Sequence, residues 1–546
     1  MARLAFLLVL LPSLACGNVK KGDGDGDGSP GGDGDGAPAG MQRLTVTVGG
    51  SGTVTSDPPG IECPETCTAD FDDGVAVTLT TTPNSDSGLA GWGGDCSGLA
   101  PTCALTMDES HTADALFDLH GAARWVGHIS FEGQDWGESD IVLDSAGNPI
   151  IAGSIGVEAG PDIYVRKLDR LTGETIWENH IETTSGEYTG GLAIDADDNV
   201  YLSFTSLGFE AIMIGGETIA VDIGGTIVVT RLAADTGDYD WVKQWGGGGQ
   251  DRPSALAVLG TSLYVLGETS SNPSDFGGMT IPGSTGDAFL AKARTDNGNV
   301  QAVKHFDGNY RLDALAASGS FLGIGGYFYS SATIDGGCSI SISGSGADSD
   351  GLVAQLATSD LDCKWVRDFG DSTADMSAST HGIAAHPDGG WVATGAFQGN
   401  VLWAESGSSL GSRGSFDAFA VRYAANGDHV WSFRYGDVSM DVGEGVAVTA
   451  GGHTILSGRF ESEITFGAIE LDGAKNVFVT RMSPGATPGH EWAVSLGGDD
   501  YDWAYGLAVD GEENVYVGAT FTGQTNVDGT PLTAADYDGW LAALVR

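Results

Sequence analysis

The chain is short of basic residues. Its 546 residues include 24 Lys and Arg against 74 Asp and Glu, a formal net charge of -50. Such a surface repels phosphate backbones and anionic lipid headgroups, which excludes nucleic acid as a partner. Long hydrophobic runs are missing too. Residues 4–11 (LAFLLVLL) form the one extended apolar run, far short of the roughly 20 residues a membrane-spanning helix needs. Sustained 3.6-residue periodicity is absent, which argues against a helical bundle. The ten histidines are scattered and form no His-Glu-x-x-His pattern, so no zincin-type helix is expected. Glycine, in contrast, is abundant at 87 residues, with 41% hydrophobic residues. That mixture suits many short strands joined by tight turns.

The N-terminus reads as an export address. One positive charge at Arg3, the apolar run and small residues up to Ala15 describe a secretory signal over residues 1–15. Leu14-Ala15-Cys16 resembles the end of a bacterial lipobox, with Ser13 where leucine is usual. The resemblance implies lipidation at Cys16 and, with Gly17 following, an outer-membrane or cell-surface location; ordinary cleavage into the periplasm or medium is the alternative. Residues 16–41 contain GDGDGDGSPGGDGDG and nothing apolar enough to build a core. They read as a disordered leash with a reach of roughly 28 Å. Asp23, Asp25, Asp27 and Gly28 match the opening of a calcium loop, but Gly34 stands where a bidentate glutamate is required. No cofactor is expected, with calcium the one weak alternative.

Setting Cys16 aside leaves six cysteines: Cys63, Cys67, Cys96, Cys103, Cys338 and Cys363. An even number in an exported chain predicts disulfides. Pairing nearest in sequence gives 63–67, 96–103 and 338–363, although the first four allow three connectivities. Zinc ligation by the first four is the competing idea, without histidines at matching spacing.

Residues 42–120 read as a small β domain. Leu44-Thr-Val-Thr-Val48 and Val75-Ala-Val-Thr-Leu-Thr80 alternate, and Asp57-Pro-Pro-Gly60 is a turn. The order LTVTVGGSGTVTSDPPGIEC, CTADF, VTLTTTP, GWGGDCSG and CALTM resembles the divergent InlB B-repeat family of bacterial surface proteins. That resemblance implies a spacer or adhesion module. Trp92 reads as its core aromatic, with sugar stacking as the alternative.

From residue 121 to 546 the sequence repeats. One strand begins at Asp162, Thr226, Asp287, Asp350, Asp417, Asn476 and Asp538, at gaps of 64, 61, 63, 67, 59 and 62 residues. A hairpin precedes it, marked by Ile141, Leu192, Leu256, Leu315, Ile383, Val446 and Leu507. A third marker is a strand starting at Trp125, Trp177, Trp241, Val303, Trp365, Trp431 and Trp492. Four strands per unit, seven times, predict an all-β chain dominated by a seven-bladed β-propeller. The first tryptophan strand has no preceding blade and the last unit lacks one, so residues 125–131 are expected to complete the C-terminal blade. The Asn-Val-Tyr hairpins at 199–201 and 514–516, with the Asp-Ala-Phe strands at Asp287 and Asp417, resemble the bacterial SBBP repeat family. The resemblance implies this architecture and no particular activity.

No catalytic motif emerges. Gly407-Ser-Ser-Leu-Gly411 matches G-x-S-x-G outside any strand-to-helix elbow. His381 and His386 flank an apolar strand and do not share a face. Asp195-x-Asp197-x-Asn199 fits calcium or a hairpin turn equally. The repeated tryptophans read as packing between blades. Any ligand site is expected in the variable segments 208–225, 270–286 and 330–349 at one mouth of the ring. The sequence thus points to a non-catalytic binding or adhesion scaffold on the cell surface, with an unnamed protein or glycan as partner. Two alternatives are a glycan-binding or glycan-cleaving propeller, and an assembly scaffold of the PQQ-repeat type. The second rests on Thr172-Gly173-x3-Trp177 and Thr236-Gly237-x3-Trp241.

Overall fold

The computed structural model describes residues 37–130, 135–157, 160–181, 186–208, 211–222, 224–329, 332–334, 338–340, 349–370, 377–403, 408–498 and 500–546. The signal, Cys16 and the aspartate-rich segment with Asp23, Asp25, Asp27, Gly28 and Gly34 lie outside them. Every element in the described residues is a strand, and no helix there is long and apolar enough to cross a membrane.

The alternating N-terminal segments form two four-stranded sheets. Met41–Gly49 lies between Thr68–Asp72 and His111–Leu119, with Ser87–Gly94 outermost. Gly52–Asp57 and Ala76–Pro83 centre the other sheet, between Glu62–Cys63 and Thr102–Thr106. The period of two sends Leu44, Val46, Val77 and Leu79 inward, where they meet Val54, Phe71, Trp92 and Phe117. Trp92 is a core residue, its indole N–H donating to the Ala100 carbonyl at 2.8 Å. Cys63–Cys67 and Cys96–Cys103 are disulfides, so no zinc site forms from these thiols.

Seven four-stranded antiparallel sheets follow. Their first strands are Asp135–Leu143, Gly186–Ile194, Asp251–Leu259, Tyr310–Ser318, Ala378–Ala385, Asp441–Val448 and Asp502–Val509. Each first strand contacts the next in order, and that of the seventh sheet contacts that of the first. The seventh sheet takes its outermost strand from the other end of the repeat region. Ala123–Ile129 pairs antiparallel with Thr530–Leu544, Gly127 opposite Leu541. Second and third strands, such as Val200–Leu207 and Asp417–Tyr423, are buried along nearly their whole length. Their apolar runs follow from having a neighbouring sheet on both faces.

Two devices hold neighbouring sheets together. The first explains the repeated tryptophans. Trp125, Trp177, Trp241 and Trp365 each lie over a turn glycine of the following sheet, namely Gly173, Gly237, Gly298 and Gly427. Each indole N–H donates to a carbonyl in that turn region, those of Arg170, Ala234, Thr295 and Ala425, at 2.9–3.2 Å. The glycines have φ between +68° and +83°, and a Cβ at Gly298 would stand 2.7 Å from Trp241. The T-G-x3-W spacing is therefore explained by packing. The second device is a buried acid opening a first strand. Asp251, Asp441 and Asp502 accept from the backbone N–H groups of Gly247, Asp437 and Gly498 at 2.8–3.1 Å, fixing the inter-sheet loop.

The segments between second and third strands form hairpins in the second to fifth sheets: Ile212–Ile214 with Glu217–Ile219, Ser274–Asp275 with Thr280–Ile281, Ala332–Ile334 with Cys338–Ile340, and Asn400–Trp403 with Ser408–Gly411. Three of them contact the outermost strand of their own sheet. Cys338–Cys363 ties one of these hairpins to such a strand, and Phe276 of another sits 4.8 Å from Phe289 and 5.8 Å from Trp245. The variable segments thus cover outer edges.

Candidate functional site

Each of the seven first strands carries a skip in its pairing register. In five of them a single residue is passed over: Gly190, Ser254, Asp313, His381 and Glu444. The seventh skips Tyr505 and Gly506, and the first skips residues 137–139. A bulge breaks the alternation of a strand and re-aims the extra side chain. Here six of the seven named extra residues, all but Gly506, border one cavity of about 860 Å³ lined by residues of the seven first strands.

The next residue is small in six strands: Gly191, Ala255, Ala314, Gly382, Gly445 and Gly506. Close approach demands it, since a Cβ on Gly191 would stand 2.9 Å from the Leu256 nitrogen and one on Gly382 2.8 Å from the Glu444 carbonyl oxygen. Asp140 holds this position in the first strand. Its carboxylate accepts from the Leu192 N–H at 3.2 Å. It opens onto the channel, yet the enclosing ring desolvates it and pushes its carboxyl up.

Charged groups of both signs meet in this channel, unlike the uniformly acidic average of the chain. Arg311 Nε lies 3.3 Å from Asp313 Oδ1. Desolvation pushes the Glu268 carboxyl up, although Arg311 and Arg252 oppose the rise. His381 Nδ1 lies 2.9 Å from Glu444 Oε2, and Arg459 Nε lies 3.7 Å from Glu444 Oε1. On its other side His381 Nε2 is 2.8 Å from Ser379 Oγ. Burial disfavours charging of His381, but the Glu444 carboxylate outweighs it, so the imidazole pKa is raised.

Two aromatic rings reach the cavity. Tyr188 and Tyr505 border the cavity and are 44% and 39% exposed. Two residues before Tyr505, Trp503 stacks nearly parallel between Tyr501 and Tyr537, at 5.3 Å and 18°, and 6.0 Å and 19°. Lys475 Nζ lies 3.5 Å from the centre of the Tyr501 ring.

The residues singled out from sequence fare unevenly. Among the described residues, segments 208–225 and 270–286 contribute nothing to the cavity lining; residues 330–331, 335–337 and 341–348 of segment 330–349 lie outside the described residues. The inward-facing site comes from the first strands, because the hairpins are used as edge covers. Asp195 is a turn residue, accepting from the N–H groups of Asp197 and Asn199 at 3.0 and 2.9 Å and from the Tyr201 hydroxyl at 2.8 Å. Ser408 and Ser409 pair with Trp403 and Leu402 in a hairpin, which is no nucleophile elbow. His386 accepts from the Asp388 N–H within its own turn at 3.1 Å. His381 and Glu444 were not brought together by any sequence motif. A usable signal existed: the bulge residue stands two before each hairpin marker, in Asp313-Ala-Leu315, His381-Gly-Ile383 and Glu444-Gly-Val446.

Residues 42–121 match the family model of the divergent InlB B-repeat domain. No curated protein matches the chain. Among solved structures, it is similar to the polysaccharide lyase Uly1, with 10% identity over 78% of this chain and 92% of that one, at a TM-score of 0.41. The WD40 domain of Toxoplasma gondii coronin follows with 7% identity, 79% and 89% coverage and a TM-score of 0.36. Quinohemoprotein alcohol dehydrogenase from Comamonas testosteroni has 10% identity, 77% and 76% coverage and a TM-score of 0.36. At these values none of the three says what this chain does.

Proposed function

We propose that this chain is an exported lipoprotein, held at the outer membrane or cell surface through Cys16. A leash and a B-repeat module would carry a seven-bladed β-propeller of the SBBP type, whose channel mouth binds a carbohydrate. The cycle of contacts among seven first strands and the shared seventh sheet support the propeller. Three disulfides suit an oxidising compartment.

The observation that carries the carbohydrate reading is the pair of exposed rings, Tyr188 and Tyr505, on a cavity lined by carboxylates and arginines, with Trp503 of the Tyr501–Trp503–Tyr537 stack two residues before Tyr505. An aromatic face offers apolar area to the C–H face of a sugar ring, and fixed carboxylate and guanidinium groups satisfy its hydroxyls. A scaffold with no small ligand would have no need of exposed rings next to desolvated charges.

The test is glycan-array binding by the purified chain, repeated with Trp503→Ala. Binding by the wild type that falls at least tenfold in the variant supports the reading. A wild type that binds no glycan sinks it and leaves protein adhesion in its place.

A further inference from the structure

Ser379, His381 and Glu444 form one hydrogen-bonded line, of which His381 and Glu444 border the cavity and Ser379 is half-buried beside them. Ser379 Oγ is 2.8 Å from His381 Nε2, and His381 Nδ1 is 2.9 Å from Glu444 Oε2. The imidazole thus has a hydroxyl on one nitrogen and a carboxylate on the other. This is the arrangement of nucleophile, base and orienting acid that activates a serine, recognised by geometry and not by chain order. We propose that Ser379, His381 and Glu444 form a nucleophilic site that hydrolyses small polar carboxylic esters in the channel.

Three features favour this over a merely structural contact. The register skip that recurs in every first strand places His381, in the fifth, between the Thr380–Gly395 and Gly382–Thr394 pairs and on the cavity lining. Glu444 is the skipped residue of the adjacent first strand, so the bulge residues of neighbouring sheets meet in one hydrogen bond, which the other described bulge residues Gly190, Ser254 and Asp313 do not do. Both His381 and Glu444 face the cavity, whose volume of about 860 Å³ admits a small substrate and not a folded protein chain. Arg459 Nε lies 3.7 Å from the second Glu444 oxygen, an ion pair without a hydrogen bond. Arg311 of the fourth sheet, beside Asp313, is a cation on the cavity lining.

The steps balance without any further reagent than water. Ser379 Oγ bonds to the acyl carbon as its proton passes to His381 Nε2. Glu444 Oε2 accepts the Nδ1–H and stabilises the imidazolium. The C–O ester bond breaks and the leaving alkoxide takes the proton from Nε2. Water then repeats the sequence on the acyl-serine, releasing the carboxylic acid and restoring Ser379.

The experiment uses a fluorophosphonate probe on the full purified chain, with the adduct located by mass spectrometry. The expected result is labelling at Ser379, absent in Ser379→Ala and slowed roughly 10²-fold or more in His381→Gln, with p-nitrophenyl acetate hydrolysis following the same order. Ser379→Ala keeps the His381–Glu444 bond and should melt like the wild type, which separates lost chemistry from lost folding. Glu444 acts as a positioning residue. The groups around His381 are Ser379 on its own strand, Asp313 on the fourth sheet, and Glu444 and Arg459 on the sixth. Glu444→Gln removes the raising carboxylate and should lower the pH midpoint of labelling. No adduct on a folded wild type, or an adduct that survives Ser379→Ala, overturns the proposal. Labelling does not depend on the aromatic stack, so it should persist in Trp503→Ala even where glycan binding is lost.

Discussion

Asp417 and Asp441 turn their carboxyl groups toward each other across Gly436. A Cβ on that glycine would stand 2.6 Å from Asp441 Oδ2 and 3.0 Å from Asp417 Oδ1. Both residues are fully buried, and among the described residues neither Oδ1 has a hydrogen-bond partner. Two like charges in a desolvated site cannot both be held cheaply. Burial pushes both carboxyls up, Asp441 from 3.8 to about 7, while Arg434, 2.8 Å from Asp417 Oδ2, restrains the rise at Asp417.

The folded chain therefore keeps a proton on Asp441 that the unfolded chain releases near pH 4. A raised carboxyl contributes stability below its unfolded pKa, and that contribution is lost as pH rises through the folded value. The contribution of Asp441 to stability should fall between about pH 4 and about pH 7 and level off above. Asp441→Asn fixes the neutral form, so its stability should be flatter with pH and higher than wild type at pH 8, by on the order of a few kcal/mol. Urea titrations of both proteins at pH 5 and pH 8 measure this; equal slopes would refute the assignment.

Packing of a tryptophan on the next sheet's turn predicts a position-specific cost. Gly298 has φ +68° with Trp241 in contact, while Gly260 has φ +58° with nothing within 4 Å of a Cβ. Alanine at either position meets backbone strain of about 1 kcal/mol. Only Gly298→Ala also displaces an indole, adding about 1–3 kcal/mol. Thermal melts should rank Gly298→Ala clearly below Gly260→Ala, and equal melting temperatures would count against the packing account.

Ring closure can be tested by cross-linking. Val126 lies opposite Ala542 across the closing pair. Val126→Cys with Ala542→Cys should yield an intrachain disulfide, seen as a mobility change on non-reducing gels. Because it closes a loop of over 400 residues, it should raise stability by up to about 5 kcal/mol. Failure to oxidise in the native state would mean that the two ends are not paired.

Lipidation at Cys16 predicts radiolabelled palmitate on the wild type and none on Cys16→Ala. The variant should move from the membrane to the soluble fraction. Unlabelled wild type would point to release as a soluble exported protein.

The sequence made the repeat legible because its strands are buried on both faces. Stretches such as TIVVTRL and DAFAVRY must stay apolar in every copy. The disulfide partners were legible because each lies near in sequence. The strand Ala123–Ile129 was placed within two residues of its expected span, from the missing strand at each chain end. The channel was not legible. Its residues differ in every copy, being Gly190, Ser254, Asp313, His381, Glu444 and Tyr505, so period-seeking passes over them. Helical and strand face rules also misjudge His381, because a register skip breaks the alternation on which they depend.

The register skip has a consequence for how such rings diversify. A bulged residue sits outside the ladder that holds its strand, so side chains as different as those of Ser254, Asp313, His381, Glu444 and Tyr505 stand there, while Pro253 leaves room only for glycine at Gly190. Seven copies give seven such positions around one axis. Natural variation can therefore rewrite the chemistry of the channel one residue at a time, while duplication of the repeat preserves the frame that presents it.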